Sequence, residues 1–141
     1  HMRLRLKATK KFAIKTKTGY VLLGDEIRAS VVKDKENASG VRARECILIL
    51  RKLGEDAGRF SNALSTVRTL QYWDALPKGN TVSVQNKKYG MEEFEVVYNA
   101  DATMRKHFDH MLELAHARLM QREAVAAANN NGAEGGEEEE I

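Results

Sequence analysis

Residues 3–17 read RLRLKATKKFAIKTK, and the run alternates charge with apolar character at period two. Odd positions carry six cations: Arg3, Arg5, Lys7, Lys11, Lys15 and Lys17. Even positions carry Leu4, Leu6, Ala8, Phe12 and Ile14, with Lys10 as the one charge out of step. Successive side chains of a β-strand point to opposite faces, so the run predicts a strand with one buried face and one cationic face. Residue 9 or 10 is where a bulge is expected, since Lys10 breaks the rule and the run is long for one flat strand. A few lysines on an exposed edge guard against unwanted strand pairing, but six on one face call for an anionic partner. Alternate residues of a strand stand about 6.6–6.8 Å apart, comparable to the phosphate spacing of an extended nucleic-acid strand.

The rest of the chain concentrates this signal. The net charge of +3 conceals an uneven distribution. Residues 1–52 hold 14 Lys/Arg against 5 Asp/Glu, residues 53–123 hold 9 against 10, and residues 124–141 hold five glutamates and no cation. The positive field therefore belongs to the first third, which predicts a surface for an anionic partner there and another role for the acidic end. A chain of 141 residues, 43% hydrophobic and 30% charged, is enough for one domain with a core. No apolar run approaches the length of a membrane span, and no leader pattern is visible, so membrane partners are not expected and a cytoplasmic setting is. The lone Cys46 lies in an apolar run and reads as a small buried hydrophobe. His1 and Met2 read as an expression scar before a native start at Met2.

Outward from the first strand, Thr18 and Gly19 mark a turn, and residues 20–23 and 27–33 read as a second long strand interrupted at Gly24 and Asp25. Residues 34–40 are a polar loop. Residues 41–53 fit a helix capped by Ser39 or a strand, and their isoleucines favour strand. Residues 60–76 space Phe60, Ala63, Leu64, Val67, Leu70 and Trp73 as a helix that Pro77 ends. Residues 81–85 and 92–98 read as a hairpin whose basic loop holds Lys87, Lys88 and Tyr89, with Glu93 and Glu95 on its solvent face. Residues 101–128 carry the clearest helical stripe, with a broad apolar face suited to the core and to a second copy. Residues 129–136 are a flexible linker, and 137–141 a short acidic tail. The expected architecture is α+β: a twisted antiparallel sheet with a central helix and a long C-terminal helix on one face. One nucleic-acid-binding domain spans 3–128, and a disordered acidic tail spans 129–141.

Basic grooves that hold single strands interleave cations with aromatic faces on which bases stack. The predicted surface is Arg3, Arg5, Lys7, Lys11, Lys15 and Lys17, extended by Arg28, Arg42 and Arg44 and by Lys87 and Lys88. Tyr20 and Tyr89 are the expected exposed stacking residues, whereas Phe12 and one of Tyr72 and Trp73 belong to the core. No helix-turn-helix, zinc-finger, basic-zipper or RNP pattern is present, which disfavours sequence-specific duplex reading. His107, His110, His116 and Glu113 share a helix face without ligands from a second element, so no metal is expected. No nucleophile elbow, P-loop or Cys–His pair is recognisable, so neither a cofactor nor catalysis is expected.

The linker followed by Glu137, Glu138, Glu139, Glu140 and Ile141 resembles the tails of bacterial and phage single-stranded DNA-binding proteins. The likeness covers 129–141 and the basic-sheet layout; the proline–phenylalanine ending is absent, and 60–128 is too helical for the five-stranded barrel of the bacterial proteins. It implies a tail that occupies the basic groove or recruits a polymerase or another replication or transcription protein. Together these features predict a non-sequence-specific binder of single-stranded DNA or RNA, homo-oligomeric, in bacterial or phage-infected cytoplasm. The competing expectation is an adaptor whose basic face binds an acidic protein.

Overall fold

The computed structural model describes residues 2–16, 19–33, 42–52 and 55–140, with side chains at 3–13, 22, 24–32, 42–52 and 55–129. Lys15, Lys17, Tyr20 and the tail side chains Glu137 to Ile141 lie outside these described side chains. β1 (Met2–Thr16), β2 (Gly19–Lys33), β3 (Glu45–Arg51) and β4 (Phe60–Ser61) form an antiparallel sheet in sequence order. α1 (Asn62–Tyr72) follows, then a two-stranded sheet of β5 (Thr81–Val84) and β6 (Lys87–Gly90). α2 (Met91–Ala100) and α3 (Ala102–Glu140) complete the α+β chain. The α3 backbone thus runs through the stretch read as linker. No helix among the described residues is long and apolar enough to cross a membrane.

The β1–β2 register jumps between Ala8 and Lys10, which places a bulge at Thr9 where the sequence predicts it. The extra residue inverts the alternation. Arg3, Arg5 and Lys7 pair with Val32, Ser30 and Arg28, whereas Lys10 and Phe12 pair with Glu26 and Gly24. Through β3 the same face carries Glu45, Ile47 and Ile49, because directly opposed residues share a face. Phe12, Ile47 and Ile49 are core residues, buried with Leu64, Val67, Phe94 and Phe108. The helices therefore cover the face of Arg3, Arg5 and Lys7, not the face of Leu4 and Leu6 as the sequence pattern implies. Met2–Leu4 and Val31–Lys33 overhang the end of β3, which leaves Arg3 in solvent, and Arg5 and Lys7 are exposed on the outer strand as well.

The opposite sheet face is open along β1 and closes inward, where Ala29 is buried and Ile27, Cys46 and Leu48 are half-buried. Leu4, Leu6 and Ala8 pair with Val31, Ala29 and Ile27, and these with Cys46 and Leu48. None of them joins the core cluster. Leu4 is 67% exposed, Leu6 54% and Phe60 48%. Lys11, paired with Asp25, stands at one end of this apolar face, so the six-cation face is split by the bulge. Burial raises the Cys46 thiol pKa.

α1 takes the place of a strand along most of β3's outer edge. Thr69 Oγ1 accepts from the Ile47 amide at 3.0 Å and donates to the Ile47 carbonyl at 3.0 Å. Ser65 Oγ accepts from the Ile49 amide at 2.8 Å. Backbone groups that would otherwise be buried and unpaired are satisfied by two hydroxyls one helical turn apart. Ser61 caps the helix by accepting from the Leu64 amide, and the chain turns at Asp74 with φ of 61° before Pro77.

The hairpin is shorter than the sequence reading. Gln85 and Asn86 both adopt positive φ, 49° and 66°, making a two-residue turn of the primed type. Residues 87–90, read as loop, are its second strand, and residues 92–98, read as strand, are the helix α2. Met91, Phe94 and Tyr98 are buried at helical spacing, while Glu92 and Glu93 sit in the first turn, where the helix dipole favours acids. Glu95 faces inward to the sheet, accepting from Arg51 and Ser61. Asp101 starts α3 by accepting from the Thr103 and Met104 amides, as N-cap aspartates do. Phe108 meets Phe94 at 5.1 Å between ring centroids, edge to face.

Candidate nucleic-acid interface

Two elements build the cationic tract. The β1–β2 ribbon presents Arg3, Arg5 and Lys7, all exposed. Lys7 lies directly opposite Arg28. Adjacent like charges are unfavourable in a sheet, and the buried carboxylate of Glu45 offsets them. Its Oε2 lies 4.0 Å from Arg28 Nε and accepts from Ser30 Oγ at 3.1 Å. Its Oε1 accepts from the Tyr72 hydroxyl at 2.8 Å. Burial, then the hydrogen bond to Glu45, raises the Tyr72 hydroxyl's pKa, so it remains a neutral donor.

Tyr72 links the ribbon to the turn before β3. The guanidinium carbon of Arg28 lies 5.6 Å from its ring centroid and that of Arg42 lies 5.5 Å away, both within cation–π range. The Trp73 indole N–H donates to the Arg42 carbonyl at 2.9 Å and to the Glu45 carbonyl at 3.0 Å. His116 Nε2 lies 2.9 Å from the Ala43 carbonyl, so α3 also braces the turn. Arg42 itself is half exposed and bonded to Asp74 Oδ2 at 2.7 Å.

Beside Tyr72 the tract deepens into a cleft of about 410 Å³ lined by Lys10, Glu26, Arg42, Arg68, Lys78 and Asn80. The floor is rigid. Arg68 donates to Gln71 Oε1, to the Gly79 carbonyl and to Asn80 Oδ1 at 2.7 to 2.9 Å, and lies 4.8 Å from the centroid of the Phe12 ring. Glu26, the one carboxylate, accepts from Thr9 Oγ1 at 3.3 Å and stands 3.7 Å from Lys10 and 3.8 Å from Arg68. Lys78 has no acidic partner among the described residues. A concave wall with cations in excess of carboxylate charge concentrates anions.

Several sequence-predicted residues meet here and several do not. Arg3, Arg5, Lys7, Arg28 and Arg42 form the tract. Lys11 lies on the opposite face, and Arg44 is half-buried in the turn. Tyr89 is not an exposed stacking residue: it pairs with Val82 and is only 9% exposed. Lys87 sits over its ring and 3.9 Å from Glu93, away from the tract. Lys88 lines a smaller cavity that shares Gln71 and Lys78 with the cleft. Sequence reasoning missed Lys10, Arg68, Lys78 and the use of Tyr72. Lys10 had a signal, its break in the alternation. Comparison with known proteins gives no match, whether to a family model, a curated protein or a solved structure.

Proposed function

We infer that this chain binds single-stranded nucleic acid without sequence preference, DNA first and RNA by the same chemistry. The observation that supports the reading is the continuity of exposed cations from Arg3, Arg5 and Lys7 through Arg28 and Arg42 to the cleft. The ribbon offers a charge at every second residue from Arg3 to Lys7, and the sequence carries no helix-turn-helix, zinc-finger or basic-zipper pattern. In this reading the protein serves replication or transcription in a bacterial or phage-infected cytoplasm, and the acidic tail docks a polymerase or shields the tract.

Fluorescence anisotropy with labelled single-stranded and duplex oligonucleotides across a salt series tests the function. Neutralising about five phosphates of a single strand gives a log–log salt slope near −3.5. Tighter binding to the single strand with a steep slope is expected. Absence of salt-sensitive binding to either form removes the reading in favour of an acidic protein partner.

The open face of Leu4, Leu6 and Val31 supports self-association there, since an exposed contiguous apolar patch marks an interaction surface. Sedimentation velocity of Leu6→Asp against the parent chain checks it. The parent is expected to be oligomeric and the variant monomeric and folded; a parent that stays monomeric at all concentrations, or a variant with unchanged mass, refutes the contact.

A further inference from the structure

The geometry points to the cleft beside Tyr72 as a pocket for one nucleotide unit, with the base stacked on the Tyr72 ring and the phosphate held by Lys10, Lys78 and a displaced Arg42. The inference rests on the nucleic-acid reading above for its biological ligand, but the pocket's own chemistry is narrower than backbone tracking. A volume of about 410 Å³ lies within the range of small-molecule sites. The wall combines the three things a nucleotide needs: unspent positive charge, an aromatic face and a side-chain amide at Asn80. Lys78 is exposed and has no acidic partner among the described residues. Glu26 does not spoil the site for an anion, because Thr9 and Arg68 hold it independently of Lys10.

Tyr72 is prepared for stacking and covered at the same time. The 2.8 Å bond to buried Glu45 fixes the ring. Arg42 lies over the ring and is held there by Asp74, an ion pair whose side chains are 45% and 54% exposed. Exposed pairs of this kind hold weakly. An arriving phosphate competes with Asp74 for the guanidinium, draws Arg42 aside and leaves the ring to the base. Only an unpaired base can reach the ring, so the cleft selects single strands over duplex. A free nucleoside monophosphate carries the same base and phosphate and fits the same contacts.

Competition by AMP and by ribose 5-phosphate against a labelled oligothymidylate separates the alternatives, and the lone Trp73, whose indole bonds the Arg42 carbonyl, reports Arg42 movement by fluorescence. AMP is expected to compete about tenfold better than ribose 5-phosphate, the difference being one base–aromatic stack. Tyr72→Phe keeps that preference and Tyr72→Ala removes it; Lys78→Glu, at an exposed position, weakens AMP about tenfold, the loss of one charge-assisted contact, without touching the core. If Tyr72→Ala does not fold, Lys78→Glu with the AMP-to-ribose-phosphate ratio decides. Equal competition by the two compounds, or an AMP affinity indifferent to Lys78→Glu, overturns the pocket. Oligonucleotide binding without AMP binding leaves the general function standing and the pocket refuted. AMP binding that depends on Lys78, without oligonucleotide binding, upholds the pocket for free nucleotide and refutes the general function. Binding of neither refutes both.

Discussion

Replacing Arg3, Arg5 and Lys7 together by glutamate lowers affinity for a single-stranded oligonucleotide at least about a hundredfold near 0.1 M salt. Each phosphate neutralised on a single strand contributes a salt slope of about 0.7, which at this ionic strength is roughly a factor of five, so three contacts account for about a hundredfold before repulsion is added. The slope itself falls by about 2. The fold is expected to survive, because all three side chains are exposed and β1 is held to β2 through its backbone. An unchanged thermal melt with the lost affinity is the expected pair of observations. An affinity within threefold of the parent would place the anion elsewhere on the molecule and sink the assignment of the ribbon.

Gly24→Ala is expected to be the most damaging glycine-to-alanine change among the described residues. A Cβ at Gly24 would stand 2.0 Å from the Leu50 carbonyl oxygen and 2.9 Å from its carbon. Both are backbone atoms of β3, and β3 cannot retreat. β2 pairs with it along seven residues on one side, and the hydroxyls of Ser65 and Thr69 hold it on the other. Gly24 also faces core residue Phe12, next to the second register shift of β1 and β2. Overpacking of a well-packed core costs about 1–3 kcal/mol, and a clash with fixed backbone belongs at or above the top of that range. Urea denaturation is expected to show a loss of about 3 kcal/mol or more, and a loss under about 1 kcal/mol would mean that the strands can part at this point.

The legible part of this fold came from periodicity and punctuation. The apolar stripe of 101–128 marks α3 and the break at Lys10 marks the bulge, whereas α1 stops at Tyr72, short of the end that Pro77 suggests. α2 was not legible as a helix because Glu93 and Glu95 alternate with apolar neighbours over a segment only three turns long. Met91, Phe94 and Tyr98 carry the helical period, and three positions are too few to outvote a false alternation. Which face of the sheet would be covered is a tertiary fact. Phe12 belongs to the covered face only because Thr9 shifts the parity, and nothing local to Leu4 or Leu6 says that no element will reach them. The tract was legible in its strand half. The cleft was not, because residues 10, 42, 68 and 78 come from four separate segments and converge only through the sheet register and the α1 turn.

The hydroxyls of Ser65 and Thr69 have a consequence for assembly. By occupying the β3 amides that another strand would need, α1 acts as a chain terminator for the sheet, much as a capping group ends a polymer. Among the described residues β1 is then the one long edge open to a further strand. When the one live end of such a sheet pairs with the same edge of another copy, both ends are used up and the sheet is closed. The polymerisation hazard of a fifteen-residue edge strand is thereby reduced to, at worst, a pair, and the cations on that edge raise the barrier even to that.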